Sequence, residues 1–234
     1  MNQAEKTRMS IEQIINAAIP EFIEKGYEDA VLNDILRNNG ISKGKFFHHF
    51  KGKDDLFVAC CRSICKDFAY NNSRFLVNPE KSLQDNIHDY LVFRESFFLK
   101  KKGTIDMAMV VQRNEISKFK NELNEIYEET KKVNISVLRR IFDETIHPLT
   151  DKAFYALVNT FYIAQSYVMI NRIIGNSLYL MSERKQRETL SEYVDIMDAV
   201  IDVLLFGIYP RESGEPKCFS IFSDSSKHWS EFIV

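Results

Sequence analysis

An all-α fold is predicted by three observations. The 234 residues include only eight Gly and five Pro, too few for the many tight turns of a β-rich chain. Three of those prolines, Pro148, Pro210 and Pro216, lie beyond residue 147, so most of the chain is open to long helices. Apolar residues also recur at three- and four-residue intervals through most of the length. With 45% apolar residues the chain fills a core, which excludes disorder as a description of the whole.

The elements follow in order. Ile11, Ile14, Ile15, Ala18, Phe22 and Ile23 mark a first helix behind a capping Ser10, and Gly26 stops it. Val31, Ile35 and Leu36 mark a short second helix, which Asn38-Asn39-Gly40 ends by supplying residues that tolerate positive φ. Ile41 plugs the turn, Ser42 caps a third helix of about two turns from Lys43 to Phe50, and Lys51-Gly52-Lys53 interrupts it. A longer helix starts at Asp54, with Leu56, Phe57, Cys60, Cys61, Ile64 and Phe68 on one stripe, and frays near Asn71-Asn72. Pro79-Glu80 is expected to open the next helix, which runs to about Lys102. A brief apolar segment, Ile105 to Val111, precedes a long amphipathic helix from Glu115 to Ile146, closed by Pro148.

The last two helices, about Asp151 to Gly175 and Arg184 to Ile208, carry apolar residues on more than one face. In the final helix Leu190, Tyr193, Val194, Met197, Ile201, Leu204 and Leu205 form one stripe, and Ile196, Val200 and Val203 form another. One stripe fits the chain's own core. The other is most simply covered by a second copy across a two-fold axis, with Tyr167, Ile174, Ile196, Val200 and Val203 as the candidate homodimer interface. The tail from Pro210 is rich in Ser and expected to be loose.

Charge narrows the function. A formal charge of -2 excludes contact with nucleic acid through bulk basicity. Yet from Arg37 to Lys53 the chain holds Arg37, Lys43, Lys45, Lys51 and Lys53 and no acid, so any positive field is confined to one short helix and its edges. The cysteines are too few for a disulfide scaffold, and the crowding of Cys60, Cys61 and Cys65 suits a reducing compartment. Met1 to Ser10 lacks the apolar core of a signal peptide, so a cytoplasmic location is expected. Ala153 to Asn171 carries no charge, but its polar residues favour a buried helix over a membrane span.

The stretch Ile11 to Phe57 resembles the DNA-binding domain of TetR-family transcriptional regulators. The resemblance is carried by an amphipathic first helix, Gly26-Tyr27, Asn33-Asp34-Ile35-Leu36, and the run Gly40-Ile41-Ser42-Lys43-Gly44-Lys45-Phe46-Phe47-His48-His49-Phe50-Lys51-Gly52-Lys53-Asp54-Asp55-Leu56-Phe57. The chain departs from the family's usual residues at Ala30, Asn39, Lys45 and Phe47, and Phe47 lacks the hydroxyl that the family's Tyr gives to the DNA backbone. The resemblance implies a three-helix helix-turn-helix domain (8–68 with the start of the connecting helix), a larger helical bundle that binds ligand and dimerises (69–209), about nine helices in all, and the tail 210–234. It implies duplex DNA as a partner, contacted by Arg37, Ser42, Lys43, Lys45, Phe47, His48, His49 and Lys53. Lys43 is assigned to phosphate, Lys45 to a base edge and Lys53 to the backbone. Phe46 and Phe50 are assigned to the core.

The resemblance further implies a repressor released from a palindromic operator by an apolar or amphipathic small molecule. Phe97, Met107, Phe119, Tyr127, Phe161, Gln165 and Met169 are the candidate pocket residues. No catalytic role, cofactor or metal is expected. Asp85-x-x-His88 and Glu144-x-x-His147 have the carboxylate-x-x-His spacing of helical-bundle metal sites, and Cys61 and Cys65 lie one turn apart. A helical-bundle metalloenzyme is therefore the rival reading, and an interaction module without DNA binding is a third.

Overall fold

The computed structural model describes residues 2–101, 103–113, 116–145, 149–173 and 182–206, and the side chains of 168–173, 183, 205 and 206 lie outside that description. Among the described residues every regular element is a helix. The helices are α1 (Gln3–Asp29), α2 (Leu32–Asn38), α3 (Lys43–His49), α4 (Lys53–Ser73), α5 (Leu83–Lys100), α6 (Thr104–Arg113), α7 (Lys120–Thr145), α8 (Asp151–Ile173) and α9 (Glu183–Phe206), with a 3₁₀ turn at Ser117–Phe119 before α7.

Several boundaries differ from the sequence reading. α1 starts at Gln3 rather than after Ser10, because Asn2 and Glu5 form a reciprocal capping box: the Asn2 side chain accepts from the Glu5 amide, and the Glu5 carboxylate accepts from the Asn2 amide, both at 2.8 Å. At the other end Gly26 takes φ 72°, which bends the helix before one last turn. α5 starts at Leu83 and not at Pro79-Glu80. The Ser82 hydroxyl caps the Asp85 amide at 3.1 Å, and the Asn86 side chain holds the preceding turn by donating to the carbonyls of Asn78 and Ser82. Ile116 and Phe119 precede α7, and Ile105 to Val111 forms most of α6. The expected boundaries at Lys102, Glu115, Ile146, Pro148, Gly175 and Ile208, and the tail from Pro210, lie outside the described residues.

The chain divides into two compact units. The first comprises Met1–Arg74 and Ser96–Asn134, and the second comprises Phe75–Glu95 with the described residues of Ile135–Gly175 and Ser182–Val234. In the first, α1 packs against α2, α3, α4 and α6. Its core gathers Ile14, Ala18, Phe22, Ile35, Leu36, Phe46, Leu56 and Phe57 with Met107, Phe119, Leu123 and Ile126. Phe22 meets Phe57 edge to face at 5.0 Å between ring centroids. In the second unit α8 packs on α9, and Phe154, Val158, Phe161, Tyr193 and Met197 are buried. Of the expected stripe Leu190, Tyr193, Val194, Met197 and Ile201 are buried and Leu204 is half-buried, whereas the Leu205 side chain lies outside the described residues. Ile196 and Val200 are half-buried and Val203 is exposed.

No described helix is long and apolar enough to cross a membrane.

Candidate nucleic-acid interface

The site is built by a turn whose geometry follows from its residues. α2 ends with Gly40 at φ 63°; the Gly40 amide donates to the Arg37 carbonyl at 3.3 Å and the Ile41 amide to the Leu36 carbonyl at 2.9 Å. These are the paired bonds of a Schellman stop, in which the first residue past the cap must be left-handed. The Asn39 side chain donates to the Ile35 carbonyl at 2.8 Å, so a further terminal acceptor is satisfied. Ile41 is buried, which fixes the direction in which the chain leaves α2. Ser42 then caps α3 by accepting from the Lys45 amide at 3.1 Å.

α3 has seven residues, hence a length of about 10 Å, and too few turns to be stable alone. Its stability comes from Phe46, fully buried, stacked on the buried Phe50 at 5.6 Å between centroids. With those two rings inward, Ser42, Lys43, Phe47 and His48 are left exposed, and Lys45 and His49 are half-buried. The first turn of α3 holds Lys43 and Lys45 and no acid, although a helix N-terminus favours anions. This is a local rule broken at a functional place.

The expected contact residues are placed as follows. Arg37 is exposed and paired with Asp34 at 2.7 Å. Ser42 spends its oxygen on the cap. Lys45 extends towards α1 and donates to the Gln13 side chain. Phe47 is 56% exposed and meets Phe46 edge to face, so a large ring is held in solvent without a polar handle. His48 and His49 meet edge to face at 4.7 Å. Burial, then the charges of His48 and Lys45, hold the His49 pKa below its ordinary 6.5.

Lys53, expected as a backbone clamp, lies at the end of α1. Its amine donates to the carbonyls of Tyr27, Glu28 and Ala30 at 2.8, 3.0 and 3.1 Å, and lies 4.6 Å from the Tyr27 ring centroid. A cation there closes the C-terminus of α1, an interaction of about 1 kcal/mol. Beside it the Tyr27 hydroxyl donates to Asp54 at 2.5 Å, and Lys118 pairs with Asp54 at 2.5 Å. Hydrogen bonds from Lys118 and Tyr27 hold the Asp54 pKa below its ordinary value.

The described pocket candidates are distributed over both units. Phe119 meets Tyr27 and Phe57 at 4.9 and 5.6 Å, and Met107 and Tyr127 belong to or pack on the same first-unit core. Phe97 packs on Phe68 and Phe98. Phe161 and Gln165 are buried in the second unit. The reason is that α6 and the start of α7 supply core to the helix-turn-helix region. The Met169 side chain and Ile174 lie outside the described residues, whereas Tyr167 is 61% exposed.

Asp85 bonds Ser82, and His88 pairs with Asp198 at 2.5 Å. His147 lies outside the described residues, and among those described no group of three or more His, Cys, Asp and Glu residues is arranged to hold a metal ion. Cys60, Cys61 and Cys65 are free thiols and buried; burial pushes Cys65 up to about 12, so none of the chemistry of an exposed thiolate attaches to it.

Sequence reasoning missed Gln13, the Tyr27–Asp54–Lys118 cluster, and a buried polar group in the second unit centred on Arg94. Arg94 and Glu95 are each 2% exposed, and Nε and Nη2 of Arg94 both donate to Glu95 Oε1, at 3.2 and 3.1 Å. A signal existed for the pair alone: two adjacent opposite charges inside an apolar helical stretch.

Residues 14–60 match the profile of bacterial regulatory proteins, tetR family. The Transposon Tn10 TetC protein of Escherichia coli is 30% identical over 92 residues, covering 38% of this chain and 47% of TetC, about half its length. The biofilm operon icaADBC HTH-type negative transcriptional regulator IcaR of Staphylococcus aureus is 29% identical over 159 residues, 64% of this chain and 78% of IcaR. The crystal structure of a tetR-family transcriptional regulator from Streptomyces coelicolor superposes with a TM-score of 0.60 at 14% identity, covering 96% of this chain and 97% of that one; that likeness is one of fold.

Proposed function

We propose that this chain, a DNA-binding transcriptional regulator of the TetR family, is a dimeric repressor that occupies a near-palindromic operator and leaves it when a small molecule binds. The observation that carries the reading is α3: a helix about as long as the major groove is wide, about 12 Å, pinned by Phe46 and Phe50 and presenting Lys43, Phe47 and His48 outward. Lys43 meets phosphate. Lys45 exchanges its exposed bond to Gln13 for a base edge, an exchange that costs little because such a bond is worth about 1 kcal/mol or less. Phe47 packs on sugar or a thymine methyl, His48 and His49 donate to phosphate, and Arg37 and Ser42 flank them.

Residues 8–68 read the duplex, and 69–209 dimerise and take the effector. The second copy lies across Tyr167 and the Ile196, Val200 and Val203 stripe. Repression is the direction given by the name of IcaR, a negative regulator. The protein acts in the cytoplasm as a binding protein and catalyses no reaction. An effector releases DNA only if it prefers a dimer whose two α3 helices are wrongly spaced for half-sites about one duplex turn, roughly 34 Å, apart. Selection of bound sequences from a random duplex pool tests the reading: enrichment of two-fold related half-sites is the expected result, and no enrichment contradicts it.

A further inference from the structure

The second unit contains an unsatisfied charged oxygen that the reading above does not use. Arg94 on α5 spends Nε and Nη2 on Glu95 Oε1, Nη1 on Gln165 of α8 at 3.4 Å and Nη2 again on the Tyr193 hydroxyl of α9 at 3.2 Å. An arginine facing a carboxylate ordinarily engages both oxygens. Because residues 94 and 95 are adjacent on one helix, Arg94 reaches only one of them. Glu95 Oε2 is sealed from solvent and accepts no hydrogen bond. A buried acceptor in that state destabilises the chain by about 1–3 kcal/mol, more for a charged one, so the native fold retains it against a measurable cost.

We propose that Glu95 Oε2 anchors a hydroxyl group on an otherwise apolar small molecule, beside Tyr90 and Tyr193, and that this is where the effector of the proposed repressor is recognised. The inference rests on that repressor reading for its regulatory half. Charge selects the class. Arg94 and Glu95 neutralise one another, so a cationic or anionic ligand gives up its hydration without gaining a counter-charge. A hydroxyl both donates and accepts, and meets the oxygen in either protonation state. This matters because burial raises the Glu95 pKa while Arg94 opposes the rise. The rings of Tyr90 and Tyr193, both fully buried and both within electrostatic reach of Glu95, favour an apolar body over a sugar or nucleotide. The oxygen is sealed, so a ligand enters only by parting packed helices of the second unit. Binding is thereby tied to a change of conformation, which an effector needs in order to shift an equilibrium.

The test uses the full chain and four probes of nearly one size: phenol, toluene, benzylamine and benzoate, titrated by ligand-observed NMR. Phenol should bind about tenfold more tightly than toluene, the ratio expected for a hydrogen bond to a charged group, and more tightly than either charged probe. In Glu95→Gln, which keeps an oxygen for Arg94 but removes the carboxylate, the preference for phenol over toluene should fall to about threefold or less. Equal binding of phenol and toluene, no binding of any probe, a tighter charged probe, or a preference that survives Glu95→Gln each overturns the proposal. Where the variant does not fold, the wild-type order decides alone. Titration of a selected duplex in parallel separates the two claims. Loss of DNA affinity on saturation with phenol is expected, and affinity unchanged by phenol overturns the effector role. Failure to bind any duplex refutes the repressor reading while the NMR result still decides the site.

Discussion

The first sixty residues and the second unit bury different chemistry. From residue 2 to residue 60 every buried side chain is apolar, Cys60 included, and four phenylalanines, Phe22, Phe46, Phe50 and Phe57, dominate. In the second unit the buried set includes Asn86, Arg94, Glu95, Gln165, Gln186, Thr189 and Asp202. An apolar core is held by area and shape alone, and it fixes α3 as a rigid platform. A polar core is held by hydrogen bonds that become costly when one partner is lost, and so it has alternatives close in energy. The difference teaches where recognition of DNA and response to a ligand would be divided in this chain.

The comparison breaks or sharpens most visibly under core substitution. Phe46→Ala and Arg94→Met should each cost about 3–5 kcal/mol in denaturant unfolding, the first by cavity and lost transfer energy, the second by stranding the Glu95 carboxylate. Only the second should be rescued: Arg94→Met combined with Glu95→Leu is expected to recover most of the loss, because an apolar pair replaces a buried ionic one at little cost. Absence of rescue would remove the contrast between the units. Next in size, Gly40→Ala should cost about 1–2 kcal/mol, since an L residue is forced left-handed where no neighbour crowds it.

Smaller effects separate the lysines. Lys53→Met should lower stability by about 1 kcal/mol and leave the salt dependence of DNA binding unchanged, because its amine closes α1. Lys43→Ala should leave stability unchanged and reduce the salt slope by about 1. Smallest are the pH effects, and they oppose one another. Glu95 is raised from 4.5, so its contribution is present below that pH and is lost as pH rises through the folded value. Asp54 is lowered from 3.8, so its contribution is present above that pH and is lost as pH falls towards the folded value. Glu95→Gln should therefore flatten the limb above 4.5 and Asp54→Asn the limb below 3.8 in unfolding curves taken across both values.

The parts of the fold legible in the sequence are those with local causes. Gly40, Asn39 and Ile41 announce the stop between α2 and α3 because all its hydrogen bonds fall between Ile35 and Ile41, and the placement of Phe46 and Phe50 follows from a period of four. The start of α1 was legible in Asn2-x-x-Glu5, a capping-box pattern that Ser10 obscured. What stayed hidden depends on partners far along the chain. Arg94 meets Gln165 and Tyr193 across 71 and 99 residues, and Lys53 meets the end of α1 across 23 to 26. Periodicity shows that Phe119 is buried but not which rings it meets, and it packs beside Tyr27 and Phe57.

The central claim is that α3 reads duplex DNA. It is tested most directly by fluorescence anisotropy of the selected duplex with the wild-type chain and with Lys43→Ala/Lys45→Ala, a pair of changes outside the core whose fold is checked by circular dichroism. The account predicts that the folded double variant loses at least tenfold in affinity and all preference for the selected duplex over a scrambled one; undiminished affinity and preference in that variant would contradict it.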